Sequence, residues 1–91
     1  MEEEESDERA RLKAVYLGIV ENQLRANKPL ETRQTFDRLV SQGISKEDAR
    51  ILIASAVAVE TFEILKSKKE FNHERFVRNL NKLPSQDFDE E

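Results

Sequence analysis

Glu60, Glu63 and His73 are the residues of this 91-residue chain whose types could do acid–base or metal chemistry. At about 100° per residue on a helix, Glu60 falls between Ala49 and Ile53, and Glu63 between Leu52 and Ala56, on a face that is otherwise apolar. A carboxylate there is costly to bury unless it is ion-paired, hydrogen-bonded, protonated or close to water. The plain expectation is an ion pair with Arg25, Arg33 or Arg38. The chemical alternative gathers Glu60, Glu63 and His73 in a small cleft as a divalent-metal or acid–base site. Glu-x-x-Glu with one distant histidine has no diagnostic ligand spacing, and the Glu-x-x-His pattern that di-iron bundles place on two helices is absent. No nucleophile elbow surrounds any serine, and two glycines cannot build a phosphate-cradling loop. No catalytic residue, metal ligand or cofactor is therefore assigned, and the chain is expected not to be an enzyme.

A second kind of chemistry lies in the bases. Residues 1–8 carry six acids and no base, and residues 84–91 carry four acids and no base, which leaves the body between them at +6 although the whole chain is at −4. Lys66, Lys68, Lys69, Arg75, Arg78 and Lys82 form a candidate basic surface along the end of one helix and the whole of the next. Such a stripe can contact phosphates without reading bases. Blocks of like charge are usually solvated, so residues 1–6 and 85–91 are expected to be disordered acidic tails around a single domain at 7–84.

Apolar spacing places the elements that carry these residues. Leu12, Val15, Tyr16, Ile19, Val20 and Leu24 recur as on an amphipathic helix over 7–26, with Gly18 inside it as the mark of a close helix contact. Asn27-Lys28-Pro29 ends that helix and starts another over 29–42, which buries Leu30, Phe36, Leu39 and Val40. Gly43 then supplies a left-handed residue, Ile44 reaches back to Leu39, and Ser45 caps a helix over 45–67. That third helix is apolar on two sides. Ala49, Leu52, Ile53, Ala56 and Val57 lie on the broad face, and Ile51, Ala54, Ala58, Phe62 and Leu65 on the opposite one. A helix of this kind is central in its domain or buried in an oligomer. Asn72 caps a fourth helix over 73–82, Phe71 staples to Phe76, and Pro84 stops it. The prediction is an all-α four-helix bundle with the third helix at its centre.

The spacing Phe36-x-x-Leu39-x-x-x-Gly43-x-Ser45-x-x-x-Ala49-x-x-Leu52-Ile53, followed by Glu60, Phe71, Phe76 and Leu80-x-x-Leu83-Pro84, resembles small all-helical bacterial domains of unknown function over about residues 28–84. The resemblance implies a compact helical domain and a bacterial source, and it carries over no catalytic residue. Such domains have a histidine early in the third helix, where this chain has Ala49 or Arg50. No cysteine is present, and the longest nearly apolar run, 51–59, is too short to span a bilayer, so a cytoplasmic protein without membrane contact is expected. The functional expectation is a protein-interaction or assembly module with an unknown partner, or a homodimer through a spare face of the third or first helix. The alternative is an accessory nucleic-acid-binding protein whose acidic tails regulate its basic surface. The third reading is the metal-dependent site at Glu60, Glu63 and His73.

Overall fold

The computed structural model describes the backbone of residues 2–89 and the side chains of 7–89; Met1, Glu90 and Glu91, parts of the expected tails, lie outside the described residues. Four helices follow in order, α1 (Glu2–Ala26), α2 (Leu30–Ser41), α3 (Lys46–Ser67) and α4 (His73–Lys82), and no strand occurs among the described residues. The protein is an all-α four-helix bundle. α1 begins five residues before its expected start, so residues 2–6 are helical rather than a disordered tail. Glutamate is a good helix former, and acids at a helix N-terminus face the positive end of its dipole.

Local chemistry sets each boundary. α1 ends where Asn27 turns left-handed at φ 54°, with Lys28 N–H donating to the Gln23 carbonyl at 3.1 Å. α2 ends the same way: Gly43 takes φ 95°, Ile44 N–H donates to Leu39 O at 3.1 Å, and Gly43 N–H donates to Val40 O at 3.0 Å. This is the expected Schellman turn, which satisfies carbonyls that the helix itself leaves open. Ser45 Oγ caps α3 by accepting from Asp48 N–H at 3.0 Å. Asn72 Oδ1 caps α4 by accepting from Arg75 N–H at 2.9 Å. The Phe71 and Phe76 rings meet with centroids 5.5 Å apart, completing the hydrophobic staple.

Both α2 and α3 pack against every other helix, while α1 and α4 lie on opposite flanks without touching. The core draws on the predicted stripes: Val20 and Leu24 from α1, Phe36 and Leu39 from α2, Ala49, Ile53, Ala56 and Val57 from α3, and Phe76 and Leu80 from α4, with Leu83 just beyond it; Leu12, Val15 and Leu30, expected on those stripes, are more than half exposed, and Ala54 from the opposite face of α3 is buried under α1. Each large side chain buried in this way contributes about 1.5–3 kcal/mol before entropy is counted. Gly18 departs from its expectation. It is exposed, and a Cβ built there would meet nothing within 4 Å. It marks no close contact, and it costs about 1 kcal/mol of helix propensity with no return in packing.

The expected C-terminal tail departs further. Residues 85–89 fold back along α4, and Phe88 packs against the core. An aromatic residue among acids that can reach two helix cations has both an apolar and an electrostatic reason to dock.

Candidate functional site

α4 returns antiparallel to α3 after the turn at 68–72, which brings Glu60 against the first turn of α4. Glu60 is 1% exposed, and its carboxylate accepts two hydrogen bonds from Arg75, from Nε at 2.5 Å and from Nη2 at 3.1 Å. The Asn72 backbone N–H adds a third at 3.3 Å. The expected partners Arg25, Arg33 and Arg38 are not used for this. Arg33 donates to the Leu24 carbonyl at the end of α1, and Arg38 forks onto the Leu80 and Leu83 carbonyls at the end of α4, both at 2.9 Å. Arg25 bonds Asn22 within α1. Arginines near the open carbonyls of other helices are drawn there by both hydrogen bonding and the helix dipole.

Glu63 is also buried, and its Oε2 has no hydrogen-bond partner; Lys66 Nζ lies 3.7 Å from it. His73 is half exposed and faces Glu31 of α2, Nε2 to Oε2 3.5 Å. The structure thus engages Glu60 with Arg75 and His73 with Glu31. Among the described residues no group of three or more His, Asp or Glu side chains is placed to hold a metal.

The basic surface is broken up as well. Arg75 is only 8% exposed and belongs to the interior with Glu60, so it is not part of that surface. Arg78 Nε and Lys82 Nζ close on the two carboxylate oxygens of Asp89 at 3.1 and 2.8 Å. Lys66, Lys68 and Lys69 remain on the surface at the end of α3.

The docked segment is held by more than charge. Asn79, fully buried, donates from Nδ2 to the Asp89 carbonyl at 3.0 Å and accepts the Asp89 N–H on Oδ1 at 2.7 Å. Lys82 Nζ also reaches the Asp87 carbonyl at 3.1 Å, and Gln86 donates to Ser55 Oγ of α3 at 2.9 Å. Asn79 was not a candidate from sequence. The signal that singled out Glu60 was available for it, since Asn79 falls on the Phe76, Leu80, Leu83 stripe at helical spacing.

Hydrogen bonds from Lys82 and then Arg78 hold the Asp89 carboxyl below its ordinary value of 3.8. A carboxylate whose folded pKa is depressed adds its docking energy in full above the ordinary value and loses it as the pH falls through the lower, folded one. The Asn79 side-chain amide resonances should therefore hold their positions from neutral pH down to 3.8 and shift only in more acid solution. A midpoint at or above 3.8 would contradict the ion pairs.

The outer face of α3 is the third feature. α1 runs antiparallel beside it, with Glu21 bonded to Arg50 at 2.9 Å. Because Ala54 and Ala58 are small, the two helices leave an apolar hollow of about 190 Å³ between Tyr16 and Leu17 on one side and Ile51, Ala54 and Ala58 on the other. Farther along the same α3 face, Phe62 and Leu65 stand 58% and 72% exposed. Comparisons with protein-family models, curated proteins and solved structures found no match. Among the described residues no helix is long and apolar enough to cross a membrane.

Proposed function

We propose that the chain is a non-enzymatic interaction and assembly module that acts as a homodimer, its two copies joined through the outer face of α3. The observation that carries this reading is the shape of that face, with a ridge of Phe62 and Leu65 at one end and the hollow floored by Ala54 and Ala58 at the other. A two-fold interface sets each patch against its own reverse, so a ridge and a hollow on one strip complement each other. With two α3 helices antiparallel and Ala58 on the axis, Phe62 of one copy comes level with Ala54 of the other, and Leu65 level with Ile51. Lys68 and Lys69, just past one end of α3, come level with Asp48 and Glu47 in the opposite first turn. Opposite charges at the rim set the register and disfavour the parallel pairing. Exposed large apolar side chains grouped in this way on a charged chain mark an interaction surface. A bacterial cytoplasm is the setting this reading adopts, supported by the cysteine-free composition and the resemblance over residues 28–84.

Sedimentation equilibrium tests it. The parent should weigh twice its 10.6 kDa chain mass, and Phe62→Glu should weaken the dimer at least tenfold. In this cysteine-free chain, Ala58→Cys should cross-link to its own copy under mild oxidation far faster than Val15→Cys, because only position 58 meets itself at the axis. A parent that stays monomeric at high concentration, or equal cross-linking at both positions, would overturn the reading.

A further inference from the structure

The C-terminal segment is seated on α4 by contacts that recognise a peptide. Asn79 sits on the inward stripe of α4, where a leucine would serve packing better, and it is 0% exposed. Both hydrogen bonds of its amide go to the backbone N–H and C=O of one residue, Asp89. A buried amide left without such partners is costly, so this side chain is suited to its place only when an extended backbone lies across it. The paired contact reads main chain and accepts any residue type but proline at that point. Side-chain selection comes from around it: Arg78 and Lys82 take the two oxygens of an acid, and the residue before that acid, Phe88, enters against the core.

The charged part of the segment's hold is nevertheless light. Its ion pairs are exposed, with the Arg78 side chain at 54% and that of Asp89 at 42%, and exposed pairs of this kind contribute little and are screened by salt. A buried main-chain reader ringed by exposed, salt-screened ion pairs is the arrangement of an exchangeable site.

We infer that the α4 surface around Asn79, Arg78 and Lys82 is a binding site for an acidic peptide of a partner protein, an extended segment with an aromatic residue followed by aspartate, which Phe88-Asp89 occupies in cis. The site centres on α4, and the segment meets the α3 hollow on which the dimer reading depends at Ser55, which accepts from Gln86. A second copy's segment is a poor occupant, because only five residues separate buried Leu83 from Asp89 and the reach is short. A duplex nucleic acid would satisfy Arg78 and Lys82 with its phosphates, but its sugar–phosphate backbone carries no N–H to pair with Asn79 Oδ1, which here accepts the Asp89 N–H.

The test uses the full chain with its own segment disabled, Phe88→Ser with Asp89→Lys, and a fluorescein-labelled peptide of sequence SQDFDEE, which is residues 85–91. Fluorescence anisotropy should show one peptide bound per chain, at least tenfold tighter than to the parent, whose own segment competes. Adding Asn79→Leu to the disabled chain should abolish binding, and a peptide with serine in place of the phenylalanine should bind at least tenfold more weakly. Should the double variant lose its helical circular dichroism, Asp89→Lys alone takes its place with the same expectations. No binding by the disabled chain, equal binding of the serine peptide, or tighter binding of duplex DNA than of peptide would each overturn the proposal.

Discussion

Glu60→Leu is expected to lower the stability by about 3–5 kcal/mol, the usual cost of breaking a buried ion pair from one side. The substitution removes the carboxylate that accepts two hydrogen bonds from the buried Arg75 guanidinium, and with it the acceptor of the Asn72 N–H at the start of α4. Denaturant unfolding at matched protein concentration measures the loss. The decisive comparison is the double variant Glu60→Leu with Arg75→Leu. Replacing both members of a buried pair by apolar side chains is often neutral or even stabilising, so the double variant should recover most of what the single one lost. If the two variants are equally unstable, the cost lies in the shape of the site and not in the broken ion pair. A loss well under 2 kcal/mol for the single change would mean that the pair is open to water.

Arg38→Met should cost about 2–3 kcal/mol, the scale of charge-assisted hydrogen bonds lost from partly buried carbonyls. Methionine keeps much of the apolar stem while removing both donors to Leu80 and Leu83. The damage should be local before it is global. Hydrogen exchange at the end of α4 should accelerate first, and the docking of residues 85–89 should weaken with it, because Asn79 and Lys82 lie in that same last stretch. Arg38→Lys should recover less than half of the loss, since one ammonium cannot fork between two carbonyls. Unchanged exchange at Leu80 and Leu83 in the methionine variant would show that water replaces the guanidinium at no cost.

These two sites mark the limit of what the chain disclosed before it was folded. Glu60 was legible as an anomaly, because a carboxylate between Ala49 and Ile53 on a helical projection demands a partner. The partner was not legible. Arg75 reads in the sequence as one of several bases on a wet helix, and only the antiparallel return of α4 turns it inward to Glu60. Arg75 is nearer to Glu60 in the chain than Arg33 or Arg38, yet all three were equally suited by charge. Arg33 and Arg38 end on the open carbonyls at the ends of α1 and α4, which the folded bundle sets within hydrogen-bond reach of them.

The sequence by itself determined the four helices, the two left-handed or Gly-Ser boundaries around α2, the Ser45 and Asn72 caps and most of the core, because each depends on residues within about five positions of one another. The tertiary structure alone decided which cations meet which anions, that Arg75 lies inside, that residues 85–89 lie on α4, and that the second apolar face of α3 is left open as a hollow and a ridge. Those outcomes turn on distances between residues far apart in the chain. Helical periodicity specifies the face on which a side chain lies, and the packing of one helix on another specifies what that face meets.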